Sequence, residues 1–314
     1  MALSVFSSFY PASGHLILLC IIFVTGTQAR RYSALRNSER PTYRQGGFPK
    51  FPLDNSPEKI PCGLKVSPKV VGGENAAYGD HPWQVEFEIY KHSLKDFEHH
   101  CGGAVISDKH VLTAAHCVSG INKGDLRVKA GDYNLRLKDQ DEQMFAVDSW
   151  RVHPNFRTSG IFSDDVAVVK ISPQRGSGFQ MSRFVSPVCL PSKSVSYTDR
   201  YKCQVTGWGL TDPSNDSSKA NILQSAEVPL LSDQLCKELY DNFSPGMMCA
   251  GYVAGKIDAC NGDSGGPLVC DIHGQHTLFG VVSWGVECAK ERLPGIYSST
   301  QYYLDWILSA MEEL

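Results

Sequence analysis

The chain has 314 residues, with 30 Lys and Arg against 33 Asp and Glu, a formal net charge of −3. Hydrophobic residues make up 42% and charged residues 20%, enough apolar material for a sizeable core and unlike a disordered composition. The near-neutral total gives no footing for nucleic-acid binding, and past the N-terminus no apolar run reaches the roughly 18–20 residues of a membrane helix.

The charge is unevenly spread. Residues 1–29 carry no Lys, Arg, Asp or Glu, residues 30–69 carry nine basic against three acidic side chains, and the remainder is net −9. A basic leader thus precedes an acidic body. An unstructured linker accounts for this, and a contact between leader and body is the alternative.

In chain order, residues 16–24 (LILLCIIFV) have the length of a signal-peptide core, with Ala29 and Thr27 at the −1 and −3 positions of a cleavage site. Residues 1–29 are therefore predicted to be a signal peptide and the product to be secreted. An uncleaved anchor is the rival, though nine strongly apolar residues fall short of a membrane span. Residues 30–69 hold Pro41, Pro49, Pro52, Pro57, Pro61 and Pro68 without apolar periodicity. This reads as an extended, protease-accessible propeptide.

From residue 70 the pattern becomes short strands between turn residues. Val85, Phe87 and Ile89 alternate with Gln84, Glu86 and Glu88, which predicts a half-buried strand. Further strand-like runs cover 103–107, 126–130, 144–152, 166–171, 202–207, 267–270 and 277–284, the spacing of an all-β barrel or sandwich. At the end, Tyr303, Trp306, Ile307, Ala310 and Met311 fall on one helical stripe, with Ser299 and Thr300 as candidate caps.

Of 11 cysteines, Cys20 lies in the segment predicted to be removed. The ten left are Cys62, Cys101, Cys117, Cys189, Cys203, Cys236, Cys249, Cys260, Cys270 and Cys288, an even number that suits disulfides in a secreted chain. Zinc is the alternative, but no CxxC pair supports it.

Three stretches carry chemistry: Leu112-Thr113-Ala114-Ala115-His116-Cys117, Asp165-Val166-Ala167-Val168-Val169 and Gly262-Asp263-Ser264-Gly265-Gly266-Pro267. Singly, each has a plain reading as a packed His, a turn Asp or a Gly-rich turn. In the order His…Asp…Ser they fit nucleophilic acyl transfer, in which a serine hydroxyl needs an adjacent base.

With VVGG, CGG, TGWG and SWG added, residues 70–314 resemble the chymotrypsin/trypsin family of serine proteases. The resemblance implies an all-β fold of two six-stranded antiparallel β-barrels with a C-terminal α-helix and the active site between the barrels. It also implies Ser264 as nucleophile, His116 as general base and acid, and Asp165, rather than its neighbour Asp164, as the orienting carboxylate. The N–H groups of Gly262 and Ser264 would form the oxyanion hole. Asp258 would sit at the base of the primary specificity pocket and select Arg or Lys, and the adjacent Ala259, lacking a hydroxyl, favours Arg. Ser283, Trp284 and Gly285 would pair with substrate backbone, and Gly295 would keep the pocket open. Glu287 departs from the family's usual Gly at the pocket rim. Non-catalytic relatives that keep the fold as binding proteins are the competing class, although all three catalytic residues are present here.

Activation follows the same resemblance. Cleavage after Lys69 by a trypsin-like protease would free an amino group on Val70 that pairs with Asp263. The implied disulfides are Cys101–Cys117, Cys203–Cys270, Cys236–Cys249, Cys260–Cys288 and Cys62–Cys189, the last keeping the leader attached. No cofactor is required, though Asp132, Asp139 and Glu142 match a calcium loop. Asn215 opens a glycosylation acceptor sequence. Protein or peptide substrates with Arg or Lys before the scissile bond and protein inhibitors are the implied partners, with no nucleic acid and no membrane once mature.

Overall fold

The computed structural model describes residues 61–65, 74–194, 201–212, 215, 218–255, 259–260, 262–285, 288 and 290–314. The predicted signal peptide and the predicted cleavage residues Lys69 and Val70 lie outside the described residues, as do Asp258 and Glu287.

A two-residue strand β1 (Glu74–Asn75) is followed by β2 (Gln84–Lys91), β3 (Asp96–Val105), β4 (His110–Thr113), β5 (Leu126–Ala130), β6 (Gln143–Val152) and β7 (Ala167–Ile171). Strands β2 to β7 close into an antiparallel barrel in the order β2-β3-β4-β7-β6-β5. The second half contributes β8 (Lys202–Gly207), β9 (Gln224–Pro229), β10 (Met247–Ala250), β11 (Pro267–Ile272), β12 (Gln275–Trp284) and β13 (Gly295–Ser299). They run β9-β8-β11-β12-β13-β10, with β1 on the outside of β9. A bridge between Leu230 and Ala250 brings the two ends together, and the Gly251 N–H donates to the Pro229 carbonyl at 3.0 Å. The result is a second, six-stranded barrel-like sheet. Closing both sheets removes the unpaired edges that open sheets expose.

Two helices complete the chain, α1 (Asp233–Leu239) and α2 (Leu304–Glu313). In α1 the Ser232 hydroxyl caps the Leu235 N–H. The stripe of the C-terminal helix packs as the periodicity predicts: Tyr303, Ile307 and Ala310 are buried, with Trp306 and Met311 against the same core. The predicted caps are corrected. Tyr303 is the N-cap residue, and the Thr300 hydroxyl bonds instead to the Leu278 carbonyl.

The half-buried reading of β2 is also corrected. Val85 and Phe87 are fully buried, but so are Gln84, Glu86 and Glu88 on the opposite face. Cations cover that face: Lys129 reaches Glu86 and Glu88 at 2.9 and 3.2 Å, and Arg127 pairs with Glu88. Charged groups are buried at tolerable cost only when paired in this way.

Five disulfides form with the pairings that the resemblance implies, Cys62–Cys189 among them. Each constrains the unfolded chain by about 2–4 kcal/mol, and together they fit an oxidising, extracellular compartment. Around Cys62 the Gly63 N–H donates to the Pro187 carbonyl at 2.8 Å, and Lys65 lies 3.9 Å from Asp80. No described helix is long and apolar enough to cross a membrane.

Next to this tether His81 is buried, and its Nδ1 has no hydrogen-bond partner among the described residues. Burial, then the charges of Lys65 and His276, push its pKa down to about 3. The folded ring therefore stays neutral where the unfolded one, near 6.5, takes a proton. The linked stability is complete above pH 6.5 and is lost as pH falls toward 3, at about 1.4 kcal/mol per pH unit. Urea unfolding of the parent at pH 6.5 and pH 4 is expected to show this loss, and His81→Leu is expected to remove about 3 kcal/mol of it. Equal pH dependence in the two proteins would refute the assignment.

Candidate active site

His116 sits in a single 3-10 turn, Ala115–Cys117, directly after β4. The Cys101–Cys117 bridge ties that turn to β3. Asp165 lies two residues before β7 and is wholly buried. Its carboxylate receives the His116 backbone N–H at 2.9 Å on one oxygen and His116 Nδ1 at 2.7 Å on the other. Since Nδ1 must donate to a carboxylate, the neutral ring leaves Nε2 free of a proton and able to accept one.

Two hydroxyls complete the setting. Ser283 donates to Asp165 Oδ2 at 2.6 Å, and Ser298 to the Asp165 carbonyl at 2.6 Å. Ser283, expected to meet substrate, thus also supports the carboxylate. Ser298 was not anticipated, and a serine pair at a strand end carries no signal that would single it out. Asp164 takes a left-handed conformation, φ 51°, and accepts the Tyr303 hydroxyl at 3.1 Å. Adjacent carboxylates are thereby parted, and of the two Asp165 is the one that reaches His116.

Ser264 lies in the turn before β11. The Gly102 N–H donates to its carbonyl at 2.8 Å, and the Gly265 N–H to Val282 at 2.8 Å. The Gly262 and Ser264 N–H groups have no acceptor among the described residues. Gly262 has φ +105°, and a Cβ there would stand 2.9 Å from the Gly209 Cα, so the position requires glycine.

Asp263 accepts the N–H groups of Cys260 and Gly209, each at 2.8 Å. Burial raises its pKa above the usual carboxylate range against those two bonds. A Cβ on Gly209 would come within 2.5 Å of Oδ2, so the carboxylate needs this glycine beside it. No ion pair to Asp263 is present among the described residues.

A cleft of about 280 Å³ gathers the remaining residues. His116, Ser264, Ala259, Ser283, Trp284 and Phe162 line it, together with Gly285, Gly295 and the Cys260–Cys288 pair. Phe162 was not anticipated. Its ring stacks on Trp284 at 6.0 Å and meets His116 edge-on at 6.1 Å. An aromatic three residues before Asp165 was the available signal.

The calcium reading does not fit. Asp132 is buried and its Oδ2 lies 3.0 Å from the Lys129 ammonium, while Asp139 Oδ2 accepts the Tyr133 and Asn134 N–H groups at 2.7 and 2.9 Å. Burial raises Asp132 to about 7 despite Lys129, which weakens it as a hard-cation ligand. Asp132, Asp139 and Glu142 do not form a convergent group; among the described residues the only such trio is Cys101, His116 and Cys117, two of them locked in a disulfide. Asn215 is exposed in a turn, with the next two residues outside the described set.

A family model described as Trypsin matches residues 70–307. Urokinase-type plasminogen activator of Gallus gallus is 38% identical over 252 residues, covering 77% of this chain and 57% of that protein. Coagulation factor XI of Bos taurus is 36% identical over 255 residues, covering 79% of this chain and 38% of that protein. The match therefore spans less than two thirds of the length of either relative.

Proposed function

The chain belongs to the trypsin family of serine proteases, and from that premise we propose that it is a secreted endopeptidase, made as a zymogen, that cuts after Arg and Lys. The observation that carries this reading is the two-point hold of Asp165 on His116 in the cleft that Ser264 lines. Ser264 Oγ attacks the scissile carbonyl while His116 Nε2 takes its proton, then returns it to the leaving amine. Asp165 keeps the imidazole in the productive tautomer and stabilises its cation. The tetrahedral oxyanion is received by the Gly262 and Ser264 N–H groups. Water then repeats the sequence on the acyl-enzyme.

Asp258 supplies the charge that pairs with an Arg or Lys side chain, and Trp284 and Gly285 align the substrate backbone. A trypsin-like protease cleaves after Lys69, and the Val70 amino group enters to pair with Asp263, whose raised pKa marks a carboxylate in need of a cation. Protein inhibitors that present Arg or Lys to the same cleft fit as regulators. Asn215, exposed, carries a glycan.

The test is to cleave the purified zymogen after Lys69 and offer Arg, Lys and Phe peptide amides. Turnover of the first two, with Arg preferred, is expected; no turnover, or a preference for Phe, would refute the specificity. On a gel of the same sample, leader and body should separate only under reductant, because Cys62–Cys189 joins them. Leader released without reductant would contradict the tether.

A further inference from the structure

His99, on β3, has no part in the steps above, yet it is bonded to the loop that carries Ser264. Its Nε2 lies 2.9 Å from the Gly262 carbonyl, and its Nδ1 lies 3.0 Å from Oε1 of Glu86. A carbonyl oxygen and an ionised carboxylate can only accept. A neutral imidazole has one N–H and can satisfy one of them; satisfying both takes a proton on each ring nitrogen.

The other way to balance the pair is a protonated Glu86 beside a neutral ring. Lys129 argues against it, since its ammonium is 2.9 Å from Glu86 Oε2. Burial alone would raise the Glu86 pKa, but His99 and Lys129 bring it below the ordinary range. Lys129 is shared among Glu86, Glu88 and Asp132, and Arg127 pairs with Glu88. The charged or titratable groups facing the ring are Glu86 on β2, Lys129 on β5 behind it, Asp263 on the loop and His100 next along β3. Trp208 meets it edge-on at 5.7 Å. Burial lowers the ring's pKa, but Glu86, the Gly262 carbonyl and Asp263 together outweigh it and raise the value.

We propose that His99 is a positioning residue held as an imidazolium by Glu86, clamping the Gly262 carbonyl so that the N–H groups of Gly262 and Ser264 keep their aim. Gly262 needs such a clamp because a glycine at φ +105° has no side chain to hold its backbone. Turnover then requires two histidines in opposite states: His116 neutral to accept a proton, His99 charged to hold the loop. The effect on turnover rests on the endopeptidase reading; the protonation state of His99 does not.

Two measurements test this. In Ser264→Ala protein cleaved after Lys69 and labelled with 15N-histidine, the His99 ring, assigned by its loss in His99→Gln, is expected to carry two N–H protons at pH 7.5. In Glu86→Gln it should carry one, because the ring then falls back toward its ordinary pKa of about 6.5. A singly protonated parent ring at pH 7.5 would overturn the proposal without recourse to any folding-sensitive variant. The second measurement compares two inhibitors on His99→Phe: a peptidyl-arginine aldehyde, whose adduct carries an oxyanion, and benzamidine, which fills only the basic-side-chain pocket. Aldehyde affinity and kcat should each fall about tenfold, a fraction of what losing one oxyanion donor outright costs, while benzamidine affinity and KM stay within about twofold. Unchanged aldehyde affinity, or an equal loss for both inhibitors, would overturn the clamp. If the parent binds neither inhibitor, the endopeptidase reading has failed, and the labelled ring still decides the charge of His99.

Discussion

Ser264→Ala, activated beside the parent, is expected to lose about a millionfold in kcat against Arg peptides, the loss carried over from a serine protease with the same triad on an unrelated fold. The substitution removes only Oγ. The loop is held by its backbone, through Gly102 to the Ser264 carbonyl and Gly265 to Val282, so its shape and its substrate affinity should persist. A residual rate above that in water should remain, because the oxyanion donors and the binding cleft stay in place. Burst-free progress curves and an unchanged inhibitor constant for benzamidine are the measurements. Equal turnover by variant and parent would mean that the activity belongs to a contaminant.

Asp165→Asn is expected to lower kcat about ten-thousandfold with the protein still folded, again by analogy with a related enzyme. Every polar neighbour of this side chain is a donor: the His116 N–H, His116 Nδ1–H and the Ser283 hydroxyl. A carboxylate accepts from all of them, whereas an amide turns its NH2 toward one. If the NH2 faces Nδ1, the ring must accept there and carry its proton on Nε2, the tautomer that cannot act as a base. Because serine and histidine act as one unit, the double variant Ser264→Ala, Asp165→Asn should be no slower than Ser264→Ala alone. A loss of only a few fold in Asp165→Asn would remove the tautomer argument.

The sequence made the candidate site residues and most strands legible, and the reasons it missed the rest are physical. Short motifs around His116, Asp165 and Ser264 were legible because their chemistry tolerates few residue types. Strands β5 and β8 and the stripe of α2 were legible from apolar periodicity. The polar first half of β3 and the half-buried β9 were not, because their pairing is set by neighbouring strands and not by their own composition. Alternation misread β2, since it treats every acid as solvated, and the cations that bury Glu86 and Glu88 come from β5, about forty residues away. The same cation explains the calcium expectation. The spacing of Asp132, Asp139 and Glu142 is that of a metal loop, but Lys129, three residues before Asp132, already provides the positive charge. His99 carried no motif; only its two acceptors, one of them 163 positions away, give it meaning.

The Cys62–Cys189 bond changes what activation means in space. Under the proposed cleavage after Lys69, a second covalent path remains, so the pieces have no gain of translational entropy to drive them apart, and no dilution. On that reading the nine basic side chains of residues 30–69 would stay with the catalytic body after cleavage, and only reduction of that one bridge would separate the two.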